Sequence, residues 1–552
     1  MRLLRSLLFL FLTLSPLLVA QVRTGLPAAA DRAMTSIDAE KIRASVKYLS
    51  DDALEGRGTG QKGGDRAADW IAAQFKSYGL LPAGDHHTYF QDVKFYGVTT
   101  DSQQTHFTFV PRTGAEMPLK FADDYVATDQ THSPKSEIDA PIVYVGYGIN
   151  APEYRWDDYK GKDVKGKVLL MLVNEPPSDD PNFFKGRALT YYGRWTYKYE
   201  EAARRGAVAV ILVHKAEMAS YPWEVVRNSW GGESSLLQDD ADPKLKSAGW
   251  IQLEVARKLA QASGMDLEQM LKDADSRDFK PVDLGVRLKE TIVSRVRSFS
   301  SRNVVGKVLG KDARLKDQAV MYTAHYDHLG IHPNEPGDNI YNGASDNATG
   351  CGILLELARA YASSKARPAR SILFAAVTAE EQGLLGSRYL GEHPPIPAQS
   401  ISLDLNYDNV QPFGEPEQVV VSGAERTTLG PLVEEVARLF QLAIQPDDHP
   451  EAGHYYRSDH FSMARVGVPA FSINQGALFK GHDLAWGEEK ERDYVAHRYH
   501  QPSDEYRPDM DFTGDAKMAK FGFVLGWRVA NQPDLAGWQL GDEFEKARKG
   551  GR

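Results

Sequence analysis

The sequence predicts an α/β fold: a mixed, mostly parallel sheet flanked by helices, with a β-rich α/β domain inserted early in the chain. Three observations carry this expectation. From about Ser300, short apolar runs alternate with segments of helical period, as in a sheet covered on both faces. From Asp38 to Tyr78, apolar residues recur at helical spacing with no strand between them. Between these regions, residues 111–287 change character: strands dominate and aromatic residues crowd Tyr191–Tyr199.

Taken in order, Arg2 and Arg5 precede an apolar run from Leu7 to Ala20, broken by Thr13, Ser15 and Pro16. A positive start followed by a short apolar stretch is the pattern of a secretory signal. The run falls short of the ~20 apolar residues of a membrane span. Residues 1–20 are therefore expected to be a signal peptide. The mature protein is expected to be exported, periplasmic or extracellular, without stable membrane insertion. An uncleaved anchor is the competing reading. Residues 21–36 read as a flexible leader. Ile42, Val46 and Leu49, then Ala68, Trp70, Ile71 and Phe75, mark two helices. The Gly-rich loop Leu54–Gly60 between them lacks the Gly-Lys-Ser ending of a phosphate cradle.

Within the insertion, Ile142–Val145, Lys167–Val173 and Val208–Val213 read as strands and Tyr197–Arg205 as a helix. Three domains in line are the alternative to an insertion. After it come the strands Val320–Thr323, Ile372–Val377, Ser400–Leu405 and Pro469–Ile473. They alternate with the helices Ala348–Tyr361, Leu384–Leu390, Leu429–Phe440 and Phe512–Ala530. Residues 37–110 and 288–532 would then form one discontinuous domain, and 533–552 a C-terminal tail.

A chain of 552 residues exceeds one ordinary domain. Its formal charge of −10 offers nothing to nucleic acid, which calls for clustered Lys and Arg. Cys351 is the only cysteine, so no internal disulfide can form and stability must come from the core.

Five short segments bring together metal-ligand chemistry. They are His325-Tyr326-Asp327, Ser345-Asp346-Asn347, Glu380-Glu381, Leu403-Asp404-Leu405 and Tyr499-His500. His325, Glu380 and Glu381 follow strands, and open α/β sheets gather their sites at the carboxyl ends of strands. Two histidines, three carboxylates and one further carboxylate as base are what a pair of zinc ions about 3.5–4 Å apart requires. Asp346 read alone is a helix cap; with the other segments it reads as a bridging carboxylate. Adjacent Glu380 and Glu381 repel one another unless a cation lies between them. Asp327 reads as the partner of His325 that fixes its tautomer. His328 competes as a ligand, but its position further into the loop favours a surface or packing role.

These segments resemble the zinc-dependent exopeptidases of peptidase family M28, which include bacterial leucyl-type aminopeptidases and glutamate carboxypeptidases. The matching stretches are AHYDHLG, GASDNATG, TAEEQGLLGS, SLDLNYD, RSDHFSMARVGVPAF and YHQPSDEY, together with LEGRGTGQKGGDRAADWIAAQF near the start. APIVYVGYGI, KGKVLLMLV and EEAARRGAVAVILVH resemble a protease-associated domain. The resemblance implies a zinc-exopeptidase, phosphorylase/hydrolase-like fold and two Zn2+ per chain. It makes His325 and Asp404 ligands of one zinc, His500 and Glu381 ligands of the other, and Asp346 the bridge. Glu380 becomes the general base and Asp327 orients His325. Tyr499 matches a tyrosine that stabilises the oxyanion in some members. Asp408 competes with Asp404, which the apolar strand before it favours; His497 competes with His500, which YHQPSDEY favours. The resemblance also implies a cis bond between Asp346 and Asn347.

The expected function is a secreted di-zinc aminopeptidase acting on peptides. A glutamate-releasing carboxypeptidase, a glutaminyl-cyclase-like acyltransferase and a non-catalytic receptor-like relative are the rivals. The complete ligand set argues against the last two.

Overall fold

The computed structural model describes residues 24–219, 221–332 and 336–550. The expected signal peptide lies outside them. Among the described residues no helix is long and apolar enough to cross a membrane.

The main sheet is mixed and largely parallel. Its four central strands, Ser371–Val377, Ala319–His325, Ile401–Asn406 and Ala470–Gln475, all run parallel. On one side follows Gln418–Ser422, antiparallel to Ala470–Gln475 and paired in turn with the short strand Ala443–Ile444. On the other side lies the long strand Val282–Val308, whose residues 304–308 run antiparallel to Ser371–Val377.

The central strands are apolar because both faces are covered. Along Ala319–His325, Val320, Tyr322 and Ala324 face one helical layer, while Ala319 and Met321 face the other. The first layer contains Ala39–Leu49, Lys62–Tyr78, Thr349–Ser363 and Thr513–Ala530. Thr349–Ser363 is apolar on nearly every side because it lies between the sheet and the N-terminal helices. Lys62–Tyr78 buries Ala67, Ala68, Ile71, Ala72 and Phe75, and Gly79 ends it in the left-handed conformation.

The helices and strands expected after residue 300 are all present with no end moved by more than two residues; Leu384–Leu390 appears as Leu385–Glu392, and the Val320–Thr323 and Pro469–Ile473 strands run on to His325 and Gln475. A second sheet is built from Tyr125–Thr128, Ser247–Gln252, Ala209–His214, Val168–Leu172, Lys135–Tyr144, residues 282–293, His106–Pro111 and Met117–Leu119. Its two apolar cores draw their buried residues from 107 to 292 alone. The chain enters through Phe90–Thr100 and leaves along Val282–Val308; these strands pair antiparallel from Phe90↔Val304 to Thr100↔Ser294. One segment departs from the block: Glu233–Leu237 pairs with Phe90–Thr100 and extends the main sheet.

Two terminal segments differ from expectation. The leader is not flexible from Ala28 onward. Ala28–Thr35 is a helix whose Ala30, Ala33 and Met34, spaced by three and one, bury against the main core. The last residues also pack: Ala536, Trp538 and Phe544 are buried, and Arg426 pairs with Asp542 at 2.9 Å and Glu543 at 2.6 Å.

Candidate metal centre

The site forms beyond the carboxyl ends of the parallel strands. His325 ends the strand Ala319–His325 and is buried. Its Nδ1 lies 3.2 Å from the main-chain carbonyl of Asp327, so with the proton on Nδ1, Nε2 turns a lone pair into the site. The Asp327 carboxylate lies beside the ring as expected, with Oδ1 3.8 Å from His325 Nδ1, and does a further job. It accepts the Thr59 hydroxyl at 3.1 Å and the main-chain N–H groups of Glu380 at 3.2 Å and Glu381 at 3.4 Å. Asp327 thus orients His325 through its backbone and the glutamate pair through its side chain.

Glu380 and Glu381 follow the strand Ser371–Val377. Ala379 before them has φ 56°, and the Glu380 carbonyl accepts the N–H groups of Gly383 and Leu384, both at 2.8 Å. The tight turn separates the two side chains. Glu381 Oε2 lies 3.1 Å from His500 Nε2, and Glu381 Oε1 lies 2.8 Å from His328 Nδ1. His328 is therefore no surface residue: it is buried and holds a site carboxylate.

Asp346 joins the two halves. Its Oδ1 lies 3.3 Å from His325 Nε2 and its Oδ2 lies 3.4 Å from His500 Nε2. The Asp346–Asn347 peptide is cis. The Asn347 amide fixes the turn from the other side, donating to the Tyr407 carbonyl at 2.9 Å and accepting the Gly350 N–H at 3.0 Å. A Cβ on Gly350 would come within 2.3 Å of Asn347 Oδ1 and 2.4 Å of the Tyr407 carbonyl, so only glycine fits.

The expected ligand Asp404 is outside this cluster. It sits within the strand Ile401–Asn406, where its carboxylate accepts the Thr323 hydroxyl at 3.1 and 3.2 Å. Burial pushes its carboxyl well above the ordinary range. Asp408, two residues past the strand end, takes the place: its Oδ1 lies 3.1 Å from His325 Nε2. Its Oδ2 accepts the Ser458 hydroxyl at 2.5 Å, and that hydroxyl accepts from Asn406 Nδ2 at 2.8 Å. The apolar run before Asp404 marks a position inside the sheet, which is why it misleads. His497 is exposed and paired with Asp493 at 3.0 Å, leaving His500 as the histidine in the cluster. Tyr499 is 40% exposed and stacks on the His500 ring at 4.0 Å.

Two further residues that the sequence reading did not single out support the site. Asp504 accepts the N–H groups of Ser345 at 3.1 Å and Asp346 at 3.0 Å. Arg57 is fully buried, and its guanidinium donates to the carbonyls of Tyr326 at 2.7 Å, Leu49 at 2.6 Å, Asn342 at 2.5 Å and Gly343 at 2.8 Å. An Asp in a Pro-Ser-Asp turn and an Arg in a Gly-rich loop carry no signal of these partners.

The electrostatics divide the glutamate pair. Burial, reinforced by Asp408 and Glu381, drives Glu380 well above the usual carboxylate range, against the pull of His325. Burial also acts on Glu381, but the His500 charge together with the hydrogen bonds from His328 and His500 outweighs it and brings the carboxyl down to about 2. Ligand atoms of His325, Asp346 and Glu381 lie within 4.8 Å of one another, and so do those of His325, Glu380 and Asp408. The carboxylates of Asp346, Glu380, Glu381 and Asp408 face the imidazoles of His325, His328 and His500, an excess of acidic groups that divalent cations match. Imidazole and carboxylate donors suit zinc.

The sequence pattern of peptidase family M28 matches residues 303–521. This stretch of the chain is therefore similar to peptidase family M28. The chain is 26% identical over 403 residues to a probable leucine aminopeptidase 2 of Aspergillus oryzae, covering 71% of this chain and 67% of that protein. A probable zinc metalloprotease of Pyricularia oryzae is 34% identical over 122 residues, 20% of this chain and 22% of that protein. The aminopeptidase from Aneurinibacillus sp. strain AM-1 shares the fold with a TM-score of 0.50 at 20% identity, over 92% of this chain and 97% of that one. The M28 match begins at Asn303 and so takes in the strands and turns that carry His325, Asp346, the glutamate pair, Asp408 and His500.

Proposed function

We propose that this chain is an exported aminopeptidase that uses two zinc ions. The observation that carries the reading is the divided carboxylate of Asp346, which offers one oxygen beside His325 and the other beside His500. His325 and Asp408 would hold one ion, His500 and Glu381 the other, with Asp346 shared. Zinc in this position supplies Lewis acidity toward a water molecule and the scissile carbonyl.

The protein's own part is proton transfer and placement. Glu380 points into the cluster without serving as a ligand in this assignment, and its raised proton affinity suits a group that takes a proton from the attacking water and returns it to the leaving amine. Asp327 holds the main chain of Glu380 and so sets where that proton is taken up. Tyr499, open to solvent beside His500, would donate to the developing oxyanion. The inserted block, resembling a protease-associated domain, would wall the cleft and exclude long or folded chains. The signal-like residues 1–20 support export.

Metal analysis and one variant test this reading. The purified protein should hold close to two zinc ions per chain, and Glu380→Gln should keep them while losing nearly all turnover. Dipeptides with a blocked amino terminus should resist hydrolysis. Full activity with a single ion, or cleavage that depends only on a free carboxyl terminus, would transfer the chain to one of the rival activities. Arg388, one basic residue that a glutamate-releasing activity could recruit, is already engaged by Asp240 at 2.9 Å, Asp242 at 3.1 Å and Glu392 at 2.9 Å.

A further inference from the structure

One segment of the inserted block leaves its own sheet and reaches the turn that carries Glu380. The strand Glu233–Leu237 pairs with Phe90–Thr100, Leu237 standing opposite Phe95. There Leu237 joins Val93, Phe95, Ala379 and Leu385 in a small apolar core of its own. Ala379 immediately precedes Glu380. Leu385 closes the turn, its N–H donating to the Ala379 carbonyl at 2.9 Å. Two polar contacts come from the same stretch. The Ser235 hydroxyl donates to Gln382 Oε1 at 3.1 Å. Asp240, held by Lys244, accepts the Arg388 guanidinium at 2.9 Å. Arg388 lies in the helix Leu385–Glu392 that follows the turn. Residues 235–240 thus meet the turn at its start, at its tip and at the helix beyond it.

The turn needs such support. Ala379 and Leu384 have φ of 56° and 62°, in the left-handed region that non-glycine residues hold only where the surroundings over-determine it. The main domain fixes one side through Asp327, which accepts the N–H groups of Glu380 and Glu381. The inserted block packs against the other. A proton acceptor has to stay within hydrogen-bond reach of the water it serves, and a displacement of about 1 Å costs on the order of a hundred-fold in rate.

Resting on the reading of Glu380 as the base, we propose that Ser235, Leu237 and Asp240 are positioning residues for Glu380. The inserted block therefore acts on the chemical step, and does more than wall the cleft.

Steady-state hydrolysis of Leu-Gly by the zinc-loaded full chain tests this. Leu237→Ala should lower kcat roughly ten-fold or more, with KM and bound zinc unchanged. Leu237→Met, which refills the space, should restore most of the loss. Ser235→Ala and Asp240→Asn leave the apolar contact in place and keep the test open should Leu237→Ala fail to fold; each should lower kcat by about three-fold, again at constant KM. Lys185→Gln breaks a bridge to Asp542 at 3.1 Å elsewhere on the seam and should leave kcat as it is. Unchanged kcat in the folded variants, a loss carried by KM or by departed zinc, or an equal loss in Lys185→Gln overturns the positioning role while leaving Glu380 as the base. Full turnover by Glu380→Gln overturns the base itself, and the positioning role with it.

Discussion

The main-chain N–H of Asp346 donates to the carboxylate of Asp504 at 3.0 Å, across 158 residues of sequence. The Ser345 N–H donates to the same carboxylate at 3.1 Å. A carboxylate that touches none of the proposed ligand atoms thus fixes the backbone of the one residue shared between both halves of the site. Asp504→Ala should weaken zinc binding by about 10–100-fold, the usual cost of losing a group that orients a ligand. Competition against a chelator measures this, with the unfolding midpoint as control for a global loss. Unchanged zinc affinity would mean that Asp504 only closes a turn.

Asp404 and Asp408 lie four residues apart and should behave oppositely. Asp408 faces His325 Nε2 at 3.1 Å, whereas Asp404 is held by Thr323 inside the sheet. Asp408→Asn should lower bound zinc below two per chain. Asp404→Asn should retain both ions, because it alters a group buried within the sheet and not one that faces the histidines. Elemental analysis after dialysis separates the cases; zinc loss from the Asp404 variant alone would return the ligand to its sequence-expected position.

Arg57 sits at the centre of four main-chain carbonyls drawn from three distant segments. Its donors satisfy oxygens that would otherwise be buried and unpaired, and each such loss costs about 1–3 kcal/mol. Arg57→Ala should therefore destabilise the main domain by about 3 kcal/mol or more, read by denaturant unfolding. Arg57→Lys should rescue little, since one ammonium cannot span carbonyls arranged around a planar fork. A loss below about 1 kcal/mol for the alanine variant would show that water replaces the guanidinium without penalty.

How much of this was legible in the chain depends on the range of the interaction. The parallel strands could be read because both faces are covered, so Ile372–Val377 is apolar throughout and Ile401, Leu403 and Leu405 are buried along the next strand. His325 and the glutamate pair could be placed because they follow such strands directly. Asp404 failed for the same physics: a carboxylate flanked by Leu403 and Leu405 is inside a strand, and the site begins only where the strand stops. The leader misled because Ala30, Ala33 and Met34 make a narrow stripe whose value lies in the distant helix they cover. Arg57, Asp504 and His328 act through contacts 53 to 286 residues away in sequence, beyond any local pattern.

The inserted block carries its own pH dependence at Glu290. This residue is 3% exposed, on the strand Val282–Val308 between Phe107 and Ile138 of the neighbouring strands. Ser247 donates to its Oε1 at 3.1 Å, while Oε2 has no partner among the described residues. Burial, and then the charge of Asp129, raise its carboxyl from 4.5 to about 8. The sign follows from proton counting. Between these two values the folded form keeps a proton that the unfolded chain has released, so stability is greatest below the unfolded value and falls as pH rises toward about 8. The slope in that window is up to about 1.4 kcal/mol per pH unit. Glu290→Gln keeps the shape and the neutral charge of the folded form, and removes the titration. Thermal unfolding at pH 5 and pH 8 should show the unsubstituted protein losing stability relative to Glu290→Gln on going to the higher pH. A constant difference between the two proteins across that range would mean that Glu290 is already ionised in the fold, with a counter-charge that the Ser247 and Asp129 contacts do not provide.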